Sequence, residues 1–198
     1  MSYNSLRPIE AKTQSILLCA NDDIHHAQKA GLSWASSPIM CLSAATENAY
    51  DAIILYIRGS LPAMAATMIE LCVALKSNHY TSSIPLIAIC FSISRLIVEQ
   101  LAEAGVDFVV FKNDQERKGH SKTLEAFINE LKDENRPERI LSRLCPYLHY
   151  TPINDDRELI TCKAYANWLV LGPRRLQDLC QTARHPNCPY YQSPRLPQ

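Results

Sequence analysis

The residues best suited to chemistry are four cysteines near the C-terminal end: Cys145, Cys162, Cys180 and Cys188, spaced C-x16-C-x17-C-x7-C. They fall within 44 residues of a proline-rich stretch that carries little apolar patterning of its own. So short a module buries too little surface to hold itself together, and such modules are ordinarily stapled by a metal or a cross-link. Four thiolates are the right number for a tetrahedral zinc ion or an iron–sulfur cluster. Structural zinc sites favour C-x2-C knuckles, which this pattern lacks. Proline directly follows two of the cysteines (Cys145-Pro146 and Cys188-Pro189), as it often does beside cluster ligands. These two features favour a [4Fe–4S] cluster over zinc and leave both open.

His149 and His185 are the reserve ligands. Because four cysteines already complete a site, each histidine is expected at the surface or supporting a ligand. Arg174-Arg175, after Gly172-Pro173, reads as a solvated helix start before it reads as a phosphate or nucleic-acid contact. Trp168-Leu169-Val170-Leu171 is expected to form the small apolar core of the module, or to dock on the preceding domain. The other four cysteines, Cys19, Cys41, Cys72 and Cys90, sit inside apolar elements, where a free thiol packs as a small hydrophobe.

The elements ahead of the module alternate between short apolar runs and helical patterns. Ile16–Ala20, Ile39–Leu42, Asp51–Ile57, Pro85–Cys90 and Val106–Phe111 read as strands. Helices are expected over Ile24–Trp34, Ala44–Ala49, Ala63–Lys76, Ser92–Ala104 and Ser121–Lys132, with Ser36-Ser37-Pro38 breaking the first of them. Strands that are apolar on both faces and alternate with helices imply a parallel sheet covered on both sides. The expected fold is therefore α/β, a doubly wound five-stranded parallel sheet with a small metal-stabilised cysteine-rich module at its C-terminal end. Its site belongs at the carboxyl ends of the strands. The boundaries read as an N-terminal tail over 1–14, the sheet domain over 15–132, a linker over 133–144, the four-cysteine module over 145–191 and a tail over 192–198.

Twenty basic and twenty acidic residues cancel, and hydrophobic residues make up 47% of the chain, so a real core is expected. Charge balance removes the simplest argument for nucleic acid or an anionic membrane. No apolar run reaches the roughly 18 residues of a spanning helix, and the polar start lacks a signal-peptide core. A cytoplasmic protein with reduced thiols is the expectation.

Several weak motifs, taken in order, resemble the response-regulator receiver (CheY-like) domain. Tyr50–Ile57 followed by Pro62 resembles its third-strand signature, Ile84–Ile89 its fourth strand, and Ala104–Phe108 leading to Lys112 its fifth. The resemblance spans about residues 15–132 and implies a flavodoxin-like receiver fold that works by phosphoryl transfer to a strand-end aspartate. Carried over position by position, the phosphoacceptor falls at Tyr56, which cannot form an acyl phosphate. The magnesium-binding acidic pair falls at Ala20 and Asn21, with Asp22 and Asp23 just beyond. The Thr/Ser position becomes Cys90. Lys112 alone survives, with Asn113 in place of the usual proline. The resemblance thus implies a degenerate pseudo-receiver whose pocket is Ala20, Asn21, Asp22, Tyr56, Cys90 and Lys112, with Tyr56 filling it as a packing residue and its hydroxyl meeting Lys112.

Function then divides three ways. The leading expectation is a non-phosphorylatable regulatory or adaptor protein that docks a protein partner, with a homodimer through residues 92–132 as one form. An electron-transfer accessory subunit with a [4Fe–4S] cluster is the alternative. A DNA-binding regulator is the third, opposed by neutral charge and the lack of a helix-turn-helix pattern. With no phosphate loop, nucleophile elbow or triad, an enzyme is not expected.

Overall fold

Isoleucine and leucine at successive positions leave no polar face for water, so Ile16–Cys19 forms a strand, β1, buried on both sides. The computed structural model describes residues 15–20, 33–57, 62–112, 124–154, 157–165 and 168–195. Around β1 it assembles β2 (Ser33–Ala35), β3 (Ala52–Ile57), β4 (Leu86–Cys90) and β5 (Phe108–Phe111). The order is β2-β1-β3-β4-β5 and every pairing is parallel. That is the flavodoxin-like doubly wound order, and the expected five-stranded parallel sheet holds.

Alternate residues divide the sheet between two apolar layers. Leu17, Cys19, Ile53, Leu55, Leu86, Ala88 and Cys90 face α1 (Pro38–Glu47), α2 (Pro62–Ser77) and α3 (Arg95–Glu103). Ile16, Leu18, Ile54, Ile87 and Ile89 face Phe127 and Ile128 of α4 (Leu124–Asn129). The four cysteines Cys19, Cys41, Cys72 and Cys90 all lie in the first of these layers. Gly105 ends α3 at a φ of +79°, a left-handed turn that a side chain resists, and a Cβ there would sit 3.3 Å from Lys76 Cγ.

Two expectations about the second unit are corrected. Ile39–Leu42 is not a strand but lies in α1, and the strand is Ser33–Ala35. Ser37-Pro38, read as a breaker, is a helix start. The Met40 amide donates to Ser37 Oγ at 3.3 Å and Pro38 takes the first turn, where its missing N–H costs nothing. Ile39 is 82% exposed, which a central strand would not allow. Of the expected helix Ile24–Trp34, Ser33 and Trp34 belong to β2 and the rest lies outside the described residues.

Residues 133–144, expected as a linker, are folded into the domain. A 3-10 turn (Asp133–Asn135) leads into α5 (Pro137–Arg143), which packs on α3, and Ile140 and Leu144 join the same core as Ile97 and Leu101. The module beyond also has more regular structure than its sequence pattern suggests. β6 (Leu148–Asn154), β7 (Arg157–Cys162) and β8 (Leu169–Val170) form an antiparallel sheet in that order. Pro152 lies in β6 beside a register shift, at the edge where a missing N–H is tolerated. Within Trp168–Leu171, Leu171 is buried and Leu169 packs on the module core, but Trp168 and Val170 are exposed. No helix among the described residues is long and apolar enough to cross a membrane.

Candidate functional site

Each of the four C-terminal cysteines stands at a break between elements. Cys145 follows α5, Cys162 ends β7, and Cys180 ends a π-helical turn (Leu176–Cys180), a geometry frequent at functional sites. Cys188 caps the short helix α6 (Pro189–Gln192). All four are buried, at 4–6% exposure. Antiparallel return of β7 beside β6 brings Cys162 level with Leu148, close to Cys145, while the Cys145 amide donates to the Cys180 carbonyl at 2.8 Å. The result is one neighbourhood in which Cys180 feels the charge of the other three thiols, Cys145 that of Cys162 and Cys188, and Cys162 that of Cys188.

The backbone folds back on three of the sulfurs. The Tyr147 amide interacts with Cys145, the Ala164 amide with Cys162, and the Tyr191 and Tyr190 amides with Cys188. N–H groups aimed at sulfur favour the thiolate, and such contacts tune metal–thiolate sites. Arg175 adds a cation, donating to Cys188 Sγ at 3.7 Å while lying 4.9 Å over the Tyr190 ring. Tyr147, Tyr190 and Tyr191 pack around the cysteine core and shield it from water.

Burial therefore works against ionisation at most of the site. It raises Cys145 and Cys162 above the usual thiol value, and pushes Cys180 up to about 12 with help from the charges of Cys145, Cys188 and Cys162. At Cys188 burial also pushes upward, but Arg175 and the Tyr191 and Tyr190 amides outweigh it and the thiol ends below its ordinary value. Cys188 is thus the thiol that deprotonates first. In reduced protein near neutral pH, assayed at once after metal removal and before the module unfolds, iodoacetamide is expected to modify Cys188 about tenfold faster than Cys180, because the thiolate is the reacting form. Arg175→Gln should erase most of that preference, as read by peptide mass mapping. Equal labelling of all four would show that Arg175 does not set the order.

The all-sulfur donor set suits zinc or a cluster, and the amides and Arg175 would offset the negative charge that four thiolates bring. Among the described residues no group of three or more His, Cys, Asp or Glu side chains is placed to hold a metal ion. His149 packs edge-on against Trp168 with ring centroids 4.6 Å apart. His185 is buried, not at the surface. Its Nδ1 lies 3.0 Å from the Thr182 carbonyl and 3.2 Å from that of Arg143, so that nitrogen must carry the proton. Its carbonyl accepts from the Cys188 amide at 3.0 Å, fixing the turn that presents Cys188. Arg175, expected as a solvated residue, instead belongs to the site. Only the chemistry of an arginine five residues after β8 and thirteen before Cys188 could have suggested it.

The carboxyl ends of the parallel strands present a different surface. Ala20 is buried and its amide donates to the Ala35 carbonyl at 3.2 Å. Tyr56 is half-buried and stacks on Phe91 with centroids 5.8 Å apart. Cys90 ends β4, its thiol pushed up to about 12 by burial. The Lys112 amide donates to the Cys90 carbonyl at 2.9 Å, and its ammonium lies 4.6 Å over the Phe127 ring. Tyr56, Cys90 and Lys112 thus sit at the carboxyl ends of adjacent strands, each against an aromatic or the sheet. Asn21, Asp22, Asp23 and Asn113 lie outside the described residues.

No family model matches the chain, and no curated protein does. Solved structures do. The chain is similar to a chemotaxis response regulator of Vibrio cholerae, at 20% identity and a TM-score of 0.43, over 60% of this chain and 100% of that one. It is similar to a response regulator from Desulfuromonas acetoxidans at 20% identity and a TM-score of 0.39, over 59% of this chain and 98% of that one. The N-terminal domain of a response regulator receiver protein from Methanoculleus marisnigri matches at 15% identity and a TM-score of 0.40, over 62% of this chain and 98% of that one. The likeness is one of fold.

Proposed function

We propose that this chain is a regulatory or adaptor protein in which a non-phosphorylatable receiver-type sheet carries a C-terminal four-cysteine site for a [4Fe–4S] cluster or a zinc ion. The observation that supports it best is the convergence of Cys145, Cys162, Cys180 and Cys188, from four separate elements, into one buried neighbourhood with backbone amides and Arg175 turned toward sulfur. Those four thiolates would be the ligands. Held by those cysteines, the group would cross-link α5, β7, the π-helical turn and α6, and a cluster would add redox sensitivity. Binding releases the thiol protons, and Cys188 loses its proton most readily.

Tyr56 in place of a carboxylate supports the loss of phosphorylation, since a phenol forms no acyl phosphate. A protein partner, rather than a substrate, is then the object of the sheet domain. The α3 and β5 surface that would serve a homodimer is partly taken by this chain's own α5, which turns the reading toward partners that meet the remaining helical faces.

Anaerobic purification with iron, sulfide and zinc analysis tests the site. Four irons with a brown chromophore, or one zinc without colour, is expected per chain. Absence of both metals, with all four thiols freely alkylated in the folded protein, would sink the reading. Acetyl phosphate with magnesium is expected to leave the intact mass unchanged, and an acyl phosphate on any aspartate would show that phosphorylation survives.

A further inference from the structure

The cysteine neighbourhood is tied to one short segment of the sheet domain, residues 93–95, which connects β4 to α3. Gln181, next to Cys180, donates from Nε2 to the Ile93 carbonyl at 3.3 Å. The Leu144 carbonyl, next to Cys145, accepts from the Arg95 guanidinium at 2.7 Å. Tyr150 of β6 completes the grip: its hydroxyl accepts from the Arg95 amide at 3.3 Å and lies 3.5 Å from the Ile93 carbonyl. The segment thus rests on the immediate chain neighbours of two of the four cysteines, and those two are bonded to each other through backbone.

We infer that occupancy of the four-cysteine site sets the order of residues 93–95 and the start of α3, so that the module, rather than a phosphoryl group, is the input to this face of the sheet domain. The inference rests on the metal or cluster reading above. One physical link carries it. Binding a cation fixes Cys145 and Cys180 relative to each other, and Leu144 and Gln181 cannot then move independently. A cavity of about 200 Å³ adjoins the contact, lined by Ile93, Val109, Phe111, Leu144 and Gln181 among others. The segment therefore has space to take a second arrangement when the grip loosens, as a two-state element must.

The test uses the full chain, reduced, with and without Zn²⁺, and follows backbone hydrogen exchange. Zinc is expected to slow exchange across residues 93–98 on the order of tenfold, as local opening is suppressed. Gln181→Leu should retain one zinc per chain while losing most of that slowing, and Tyr150→Phe serves as the second variant should the first not fold. Stoichiometric zinc with unchanged exchange at 93–98 overturns the coupling and leaves the site reading standing. If no zinc is retained and anaerobically purified protein carries no iron either, the site reading fails and the coupling fails with it.

Discussion

Cys180→Ser is expected to abolish metal or cluster retention and to unfold the C-terminal module while the parallel sheet persists. Of the four, Cys180 is the thiol most opposed to ionisation, with burial and three neighbouring thiols pushing it up to about 12, so it is the ligand most dependent on the metal and on the other three. Its backbone carbonyl also receives the Cys145 amide, which places two ligands in one hydrogen bond. The apolar core around them is small: Leu148, Tyr150, Ala164, Leu171 and Leu176 are its buried members apart from cysteine. Structural zinc in small peptides contributes on the order of 10 kcal/mol to folding at neutral pH, far beyond what so few side chains supply. A two-step melt is expected, with the module lost first. Circular dichroism and metal analysis of the variant check it, and a variant that keeps both its metal and a single wild-type transition would show that the thiols are packing residues.

The parts of this molecule legible in sequence are those in which one residue type forces one outcome. β1, β3 and β4 could be placed because runs such as Ile53-Ile54-Leu55 have no polar side to offer water. The start of α1 was not legible, because Ser37-Pro38 both ends one element and begins the next, and only the Met40 amide on Ser37 Oγ decides between them. β6 to β8 escaped notice for another reason. An antiparallel sheet with one open face alternates polar and apolar residues, and Pro152 reads as a breaker until it is seen at an edge.

The site divides in the same way. Thiols announce themselves by type, so the four cysteines could be picked out together. Their convergence depends on a strand return and a π-helical turn that no spacing encodes. Arg175 acts across 13 positions of sequence and Gln181 across 88, and neither residue type is distinctive enough to be singled out without its partner.

Arg95→Ala is expected to destabilise the folded, metal-loaded protein by about 2–4 kcal/mol, since two charge-assisted hydrogen bonds are lost and their acceptors are left in a largely dry contact. The guanidinium, 18% exposed, reaches Leu141 O at 3.0 Å and Leu144 O at 2.7 Å and pairs with Glu99 at 2.8 Å. The Leu141 carbonyl also accepts from the Leu144 amide at 3.2 Å, whereas the Leu144 carbonyl lies just past α5, where the helix has no N–H of its own left to offer. Arg95 thus caps a helix 46 positions away and holds α5 to α3 at the point where the chain enters the module. Arg95→Lys should recover less than half of the loss, because an ammonium is a point donor and cannot span two carbonyls as a planar fork does. Urea denaturation of the loaded protein, with limited proteolysis near residue 144, measures both. A change below about 0.5 kcal/mol, the range of ordinary surface substitutions, would mean that apolar packing of Ile140 and Leu144 alone holds the two halves together. In that case any signal passing between the two sheets would travel through that packing and through Gln181 and Tyr150.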